Sequence, residues 1–308
     1  VAAIDCGTNA VRMLVCRPGP DGRAVEVARL LELTRLGEGV DATRKFAPQA
    51  LERTFAAVDR YADVLRGYPE VGRVRFVATS ASRDVGNAAD LLTGVRSRLG
   101  VTPDVIPGTE EAWLSFSGAI ASHPTAYPVL VVDVGGGSTE LVLGTPAGIQ
   151  RAVSLDVGCV RLRERYLTSE PPTAREVAEA VAFTGALLDG SGIDFAAAAS
   201  WIGVGGTATT LACIHHRMPV YDRSRVDGAT LTVAELDTLA RELCAATRDE
   251  IVAMADVHPV RADVIGPGAI ISAEVARRVG RPMLVSEADI LDGIVAGLLA
   301  PGPAPRPS

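Results

Sequence analysis

Lysine is almost absent from this chain. Lys45 is the one lysine in 308 residues, so nearly all of the 30 basic side chains are arginine. A phosphate loop of the Gly-x-x-x-x-Gly-Lys-Ser/Thr type needs a lysine after its last glycine, so a nucleoside triphosphatase built on that loop is excluded and Schiff-base chemistry is disfavoured. The five cysteines, Cys6, Cys16, Cys159, Cys213 and Cys244, are odd in number and contain no Cys-x-x-Cys. Neither a disulfide framework nor a zinc ribbon is expected, and a reducing cytoplasmic setting is. No uncharged apolar run approaches the roughly 20 residues that cross a bilayer, and Val1 opens without a basic leader, so no membrane partner and no export are expected. The histidines, His123, His215, His216 and His258, form no His-Glu-x-x-His, and there is no Gly-x-Ser-x-Gly elbow. Zinc peptidases and serine hydrolases of those kinds are therefore removed.

What is present is an ordinary folded composition, 48% hydrophobic and 22% charged. At roughly 150 residues per domain the length predicts two domains. The net charge of -7 argues against a nucleic-acid partner, so an anionic ligand has to be held by local charge.

Two segments resemble each other. Val1-Ala2-Ala3-Ile4-Asp5 leads into Cys6-Gly7-Thr8-Asn9, and Val129-Leu130-Val131-Val132-Asp133 leads into Val134-Gly135-Gly136-Gly137, with Asp5 and Asp133 separated by 128 residues. Each apolar run ends in Asp-x-Gly, turns, and continues as a second β-rich run. A Gly/Pro turn (19–22 and 144–148) and a third run follow, Leu31 to Gly37 in one case and Ala152 to Gly158 in the other. The pattern is a three-strand meander occurring twice, which points to an internal duplication.

Alternating helix and strand follow each meander. Helices are predicted over 48–66, 87–99, 109–121, 173–188, 207–215, 233–246 and 288–299, with a further helix before the last strand, and strands over 74–78, 103–106, 201–204 and 282–285. Two α/β domains with a cleft between them are the expectation, with 123–128 as the crossover and a frayed 301–308 tail.

The chemistry concentrates in turns. Three consecutive glycines in Asp133-Val134-Gly135-Gly136-Gly137-Ser138-Thr139-Glu140 allow several N–H groups to converge on an anion without lysine, although a plain hairpin turn is the alternative. A strand follows rather than a helix, against a dinucleotide-binding loop. Asp133 and Glu140 flank the turn, and Asp5 holds the same station in the first repeat. These carboxylates suit Mg²⁺, with turn capping as the plainer role of a single Asp. Gly205-Gly206-Thr207 leads from strand to helix, where free N–H groups and the Thr207 hydroxyl attract an anion, or form an ordinary helix entry. Glu110 and Glu111 open a helix, and at most one of them faces a cleft cleanly because adjacent helical residues point about 100° apart. Arg83 follows a strand and is placed to clamp phosphate, or to sit at the surface.

Together, Ile4 to Arg12, Ala78 to Asp84, Gly108 to Ala112, Val132 to Glu140, Gly205 to Leu211 and Arg261 to Ile265 resemble the exopolyphosphatase / guanosine pentaphosphate phosphohydrolase family of the actin-like ATPase superfold. The resemblance implies two ribonuclease-H-like domains. One would cover 1–123 with the helix 288–300 returning to it, and the other 124–287. It implies Mg²⁺-dependent release of terminal phosphate from inorganic polyphosphate or guanosine pentaphosphate, with Glu111 as catalytic base. Asp5, Asp133 and Glu140 would hold the metal. Thr8, Asn9, Arg83, Gly135, Gly136, Gly137, Ser138, Gly206 and Thr207 would hold phosphate. A homodimer is implied as well. Two departures stand out: Ala10 replaces the serine usual after the first-turn Asn, and the longer relatives' C-terminal helical domain has no counterpart here. The competing expectations are an actin-like kinase or ATPase, and a catalytically idle sensor.

Overall fold

The computed structural model describes residues 1–19, 24–83 and 85–300. The turn expected over 19–22 lies, beyond its first residue, outside the described residues, as does the 301–308 tail. The chain divides into two compact units, Val1–Gly118 with the segment from Ile290 onward, and Ala119–Asp289.

In the first unit β1 (Ala2–Cys6), β2 (Ala10–Pro18) and β3 (Ala24–Leu33) form the antiparallel meander, and β4 (Val74–Ala78) and β5 (Asp104–Val105) extend it in parallel. The order across the sheet is β3-β2-β1-β4-β5. Its helices are α1 (Val40–Thr43), α2 (Pro48–Arg66), α3 (Ser80–Arg83), α4 (Ala88–Leu99) and the body of α5 (Gly108–Ser122). Strand alternation explains why β1 is buried throughout: Ala2, Ile4 and Cys6 join Leu51, Val58, Tyr61, Leu91 and Val95 of α2 and α4. Ala3 joins Leu114 of α5 and Ile290, Leu291 and Ile294 of the C-terminal helix in a second cluster. Both faces of the sheet are therefore covered.

The second unit repeats the plan. A meander of β6 (Val129–Val134), β7 (Thr139–Thr145) and β8 (Gly148–Leu155) is followed by α6 (Cys159–Tyr166), α7 (Ala174–Asp189), β9 (Ser200–Val204) and α8 (Gly205–His215). Then come α9 (Arg223–Val226), β10 (Thr230–Leu231), α10 (Val233–Ala245), α11 (Arg248–Met254), α12 (Pro259–Val279) and β11 (Met283–Ser286). The sheet order is β10-β11-β9-β6-β7-β8. From the meander through its first parallel strand, β8-β7-β6-β9 follows the same order as β3-β2-β1-β4. Capping boxes start α7 (Thr173 with Glu176), α10 (Thr232 with Glu235) and α11 (Thr247 with Glu250).

Several boundaries differ from the sequence expectation, and two of the differences have a visible cause. The third run of the first meander leaves the sheet at Leu33, because the N–H groups of Thr34 and Arg35 both turn to the Asn9 carbonyl, each at 3.0 Å. The last helix, α13 (Ile290–Leu299), starts at 290 instead of 288, because the Ala288 N–H is held by the Ser286 hydroxyl at 3.1 Å.

Helix α13 packs on α5 through Gly293, where a β-carbon would collide with the Leu114 backbone carbonyl. Gly293→Ala is expected to destabilise the protein by about 1–3 kcal/mol through overpacking. Chemical-denaturation midpoints of the two proteins measure it.

Candidate active site

The second unit's turn is built by its carbonyls. Asp133 faces Glu140 and Val134 faces Thr139 in the β6–β7 register, and the Gly135 N–H closes the turn onto the Ser138 carbonyl at 3.0 Å. The Gly135 carbonyl accepts from Cys159 N–H at 2.9 Å, and the Gly136 carbonyl accepts from Val160 and Arg161 N–H at 2.9 and 3.1 Å. The start of α6, whose first N–H groups have no partner within the helix, thus pulls the turn's oxygens toward itself. This close approach requires Gly158, whose β-carbon would lie 2.5 Å from the Gly136 carbonyl and 2.7 Å from that of Gly135. Among the described residues no acceptor is engaged by the N–H groups of Gly136, Gly137 and Ser138. Gly137 and Ser138 are buried. Buried N–H groups require an acceptor, and a run of them in a glycine turn is an anion receptor.

Around this receptor the unit brings together the other predicted residues. Gly205, at φ +75°, places its backbone against Asp133, whose Oδ1 would stand 2.7 Å from a β-carbon there. Thr207 donates its hydroxyl proton to the Val134 carbonyl at 2.7 Å, locking α8 to the turn. What Gly206 and Thr207 offer an anion is therefore the start of the helix rather than that proton. Arg261 lies over Gly206, filling the space a side chain there would take. Glu140 is buried, and its Oε1 accepts from the Ser154 hydroxyl at 2.7 Å. Burial pushes the Cys159 thiol up to about 11, with Arg261 opposing the rise and Asp133 adding to it.

The first unit builds its turn in the same way. Gly7 N–H bonds the Ala10 carbonyl at 2.9 Å, the Thr8 carbonyl accepts from Gly37 at 2.8 Å, and the Asn9 carbonyl accepts from Thr34 and Arg35. Gly37 lies so close to Thr8 that a β-carbon would strike its side chain, repeating the contact of Gly158 with Gly136. The Thr8 and Ser80 hydroxyls meet at 3.0 Å, and the buried Asn9 Nδ2 has no acceptor among the described residues. Asp5, however, faces Arg12, which grips its Oδ2 through Nη2 at 2.6 Å and Nε at 3.1 Å. Arg12 stands 128 residues before Glu140, at the same station of the repeat.

The two glutamates of α5 separate as helical geometry requires. Glu110 pairs with Arg75 at 2.6 Å, while the buried Glu111 pairs with Arg83 Nη1 at 2.7 Å. The same Arg83 nitrogen donates to the Ile106 carbonyl at 3.0 Å. Arg83 thus forms a unit with Glu111 instead of standing apart from it.

Among the described residues no group of three or more His, Cys, Asp or Glu side chains is gathered for a metal. The oxygen pair Asp133 and Glu140 fits Mg²⁺ all the same, since that ion keeps several waters and takes one or two carboxylates together with phosphate oxygens. Asp5 already has the Arg12 guanidinium as its counterion.

Several contributors escaped the sequence reading: Gly37 and Gly158 as braces, the first turn of α6, Arg12 as the counterion of Asp5, and Arg261 over Gly206. The signal for the braces was the correspondence of the third runs, in which Gly37 and Gly158 occupy the same last position.

Two outcomes are expected. Gly158→Ala should displace the glycine turn, shifting the amide resonances of Gly135 to Ser138 and costing about 1–3 kcal/mol of stability, read by NMR and denaturation. At pH 8 the native Cys159 thiol, held protonated, should react with iodoacetamide at least about tenfold more slowly than in urea, read by mass spectrometry.

Comparison with known proteins places these features in a family. The model described as the Ppx/GppA phosphatase family matches residues 20–299. The chain is 43% identical over 316 residues to Exopolyphosphatase 2 of Mycobacterium tuberculosis, covering 97% of this chain and 98% of the relative. Among solved structures, an exopolyphosphatase-like protein is similar at 38% identity with a TM-score of 0.91, covering 96% of this chain and 98% of the other. An Aquifex aeolicus member of the Ppx/GppA protein family is 28% identical with a TM-score of 0.80, covering 97% and 96% of the two chains. The expected α/β architecture, the two-domain actin-like ATPase fold, holds. On the extent of the family match and of the full-length relative, this chain belongs to the Ppx/GppA phosphatase family.

Proposed function

We propose that this protein is an exopolyphosphatase: it hydrolyses the terminal phosphoanhydride of inorganic polyphosphate and releases orthophosphate. One observation carries the reading. The Gly135 and Gly136 carbonyls are tied back to α6, while the Gly136, Gly137 and Ser138 N–H groups have no acceptor among the described residues. Such a turn suits a terminal phosphate group, whose oxygens gain negative charge as the bond to the chain loosens. The full-length similarity to Exopolyphosphatase 2 of Mycobacterium tuberculosis supports the same reaction.

The geometry of each unit supports a set of roles. In the second unit Gly135 to Ser138 and the start of α8 at Gly206 and Thr207 hold the terminal phosphate. In the first, Thr8 and Asn9 hold phosphate oxygens, the Asn9 amide supplying a buried donor. Glu111 is the general base: it takes a proton from water as the water oxygen bonds to the terminal phosphorus, and the bridging P–O bond breaks to leave a chain one phosphate shorter. Arg83, bonded to Glu111 Oε2, keeps the carboxylate oriented. Asp133 and Glu140 would hold Mg²⁺, which when bound neutralises charge on the phosphate oxygens.

The reading extends to a cytoplasmic homodimer. In keeping with a reducing setting, all five cysteines are free thiols, and among the described residues no helix is long and apolar enough to cross a membrane.

Phosphate release from long polyphosphate, short polyphosphate, guanosine pentaphosphate and ATP, with and without Mg²⁺, tests the assignment. Polyphosphate should be hydrolysed fastest and only with the metal. Faster release from guanosine pentaphosphate would move the substrate to the nucleotide, and none from any of the four would remove the enzymatic reading. Glu111→Gln is expected to lower kcat by about 10²- to 10⁴-fold while polyphosphate binding persists, measured by phosphate release and equilibrium binding.

A further inference from the structure

The two turns close alike, Gly7 N–H on the Ala10 carbonyl and Gly135 N–H on the Ser138 carbonyl. They differ in a side chain at the closing position. Ala10 stands 128 residues before Ser138, at the same station of the repeat, so the second turn carries a hydroxyl there that the first lacks.

The strand beside the first turn brings a hydroxyl of its own. Asp5 pairs with Val77 and Asp133 with Val204 in the two parallel registers, which puts Ser80 and Thr207 at equivalent places just past their strands. Thr207 spends its proton on the Val134 carbonyl at 2.7 Å. Ser80 does not spend its proton that way. The carbonyl at the equivalent station, that of Cys6, accepts from the Thr79 N–H at 3.2 Å, and Ser80 Oγ meets Thr8 Oγ1 at 3.0 Å. Two hydroxyls joined by one hydrogen bond use one proton between them. The second proton has no acceptor among the described residues, although Thr8 and Ser80 are only 6% and 5% exposed. Asn9, next along the turn, holds its buried Nδ2 in the same condition. Buried donors without acceptors are costly, and a ligand rich in acceptors relieves the cost.

We propose, resting on the assignment of Thr8 and Asn9 to phosphate, that Ser80 is a further phosphate-binding residue, supplying the first turn with the hydroxyl that Ala10 does not. The Thr8–Ser80 pair gives its remaining proton to a nonbridging phosphate oxygen, beside the amide of Asn9. Helix α3 (Ser80–Arg83) then carries the phosphate donor at its first residue and, at its last, the arginine bonded to Glu111.

The test uses the full chain with Mg²⁺ and the imido analogue of tripolyphosphate, whose P–N–P bridges resist hydrolysis, followed by NMR and equilibrium binding. The analogue should shift the amide resonances of Thr8, Asn9 and Ser80. Ser80→Ala should weaken its binding about tenfold or more, as for loss of a hydrogen bond to a charged group, and Ala10→Ser added to that variant should recover most of the loss. A residue that merely fastened the turn would not be rescued in this way. Ala10→Ser alone should change the affinity less than about threefold, because the hydroxyl is already supplied. No shift at Thr8 and Asn9 would remove the phosphate assignment of the first turn and the role of Ser80 with it. Shifts there, with an unchanged affinity in a folded Ser80→Ala protein or a loss that Ala10→Ser fails to recover, would overturn the role of Ser80 alone. Should Ser80→Ala fail to fold, the single Ala10→Ser variant decides, since a larger gain in affinity would mean that the station was empty.

Discussion

The candidate site depends on where two glycines allow the chain to come close. Gly158 against Gly136, and Gly37 against Thr8, bring a following segment near enough for its N–H groups to capture the turn's carbonyls. Once the oxygens are committed backward, the turn's own N–H groups are what remain for a ligand. In the second unit the capturing groups belong to a helix end, which needs acceptors in any case, so one set of hydrogen bonds satisfies both elements. In the first unit the captors are loop residues, Thr34, Arg35 and Gly37, and this is why the third strand stops early.

A chain with one lysine has to manage anions by other means, and the arginines near the site are themselves engaged. Arg12 is on Asp5, Arg83 on Glu111 and Arg75 on Glu110. These pairs fix carboxylates in place, while the backbone N–H groups of the glycine turn have positions set by the fold that need no side-chain ordering on binding. The net charge of -7 is compatible with a polyanionic substrate for the same reason.

Much of this was legible in the sequence because it rests on local rules. Pro48 and Gly67 bound α2, Gly100 in a left-handed conformation ends α4, and the runs at 74–78 and 201–204 are strands within one residue of expectation. The Asp-x-Gly repeats mark the two turns, and the matching order of the two meanders in their sheets bears out the duplication. What escaped was non-local. A short helix such as α6 has too few residues for a convincing apolar period, and its role appears only when it docks on a turn more than twenty residues earlier. The pairing of Arg83 with Glu111 joins residues 28 apart, and Arg261 reaches Gly206 from a helix far along the chain. The helix expected before the last strand is α12, and its bounds escaped because it is buried almost throughout and lacks the one-sided stripe by which a surface helix announces itself.

The station shared by Arg12 and Glu140 shows how little separates the two halves of a duplicated protein. The strand register fixes an aspartate opposite that position in both copies, so one backbone plan carries an Asp–Arg pair in the first hairpin and an Asp–Glu pair in the second. Divergence after duplication then needed no rebuilding of the backbone. One side chain at that station reverses the charge that the aspartate meets across the hairpin, so the two copies keep a common register while their electrostatics diverge.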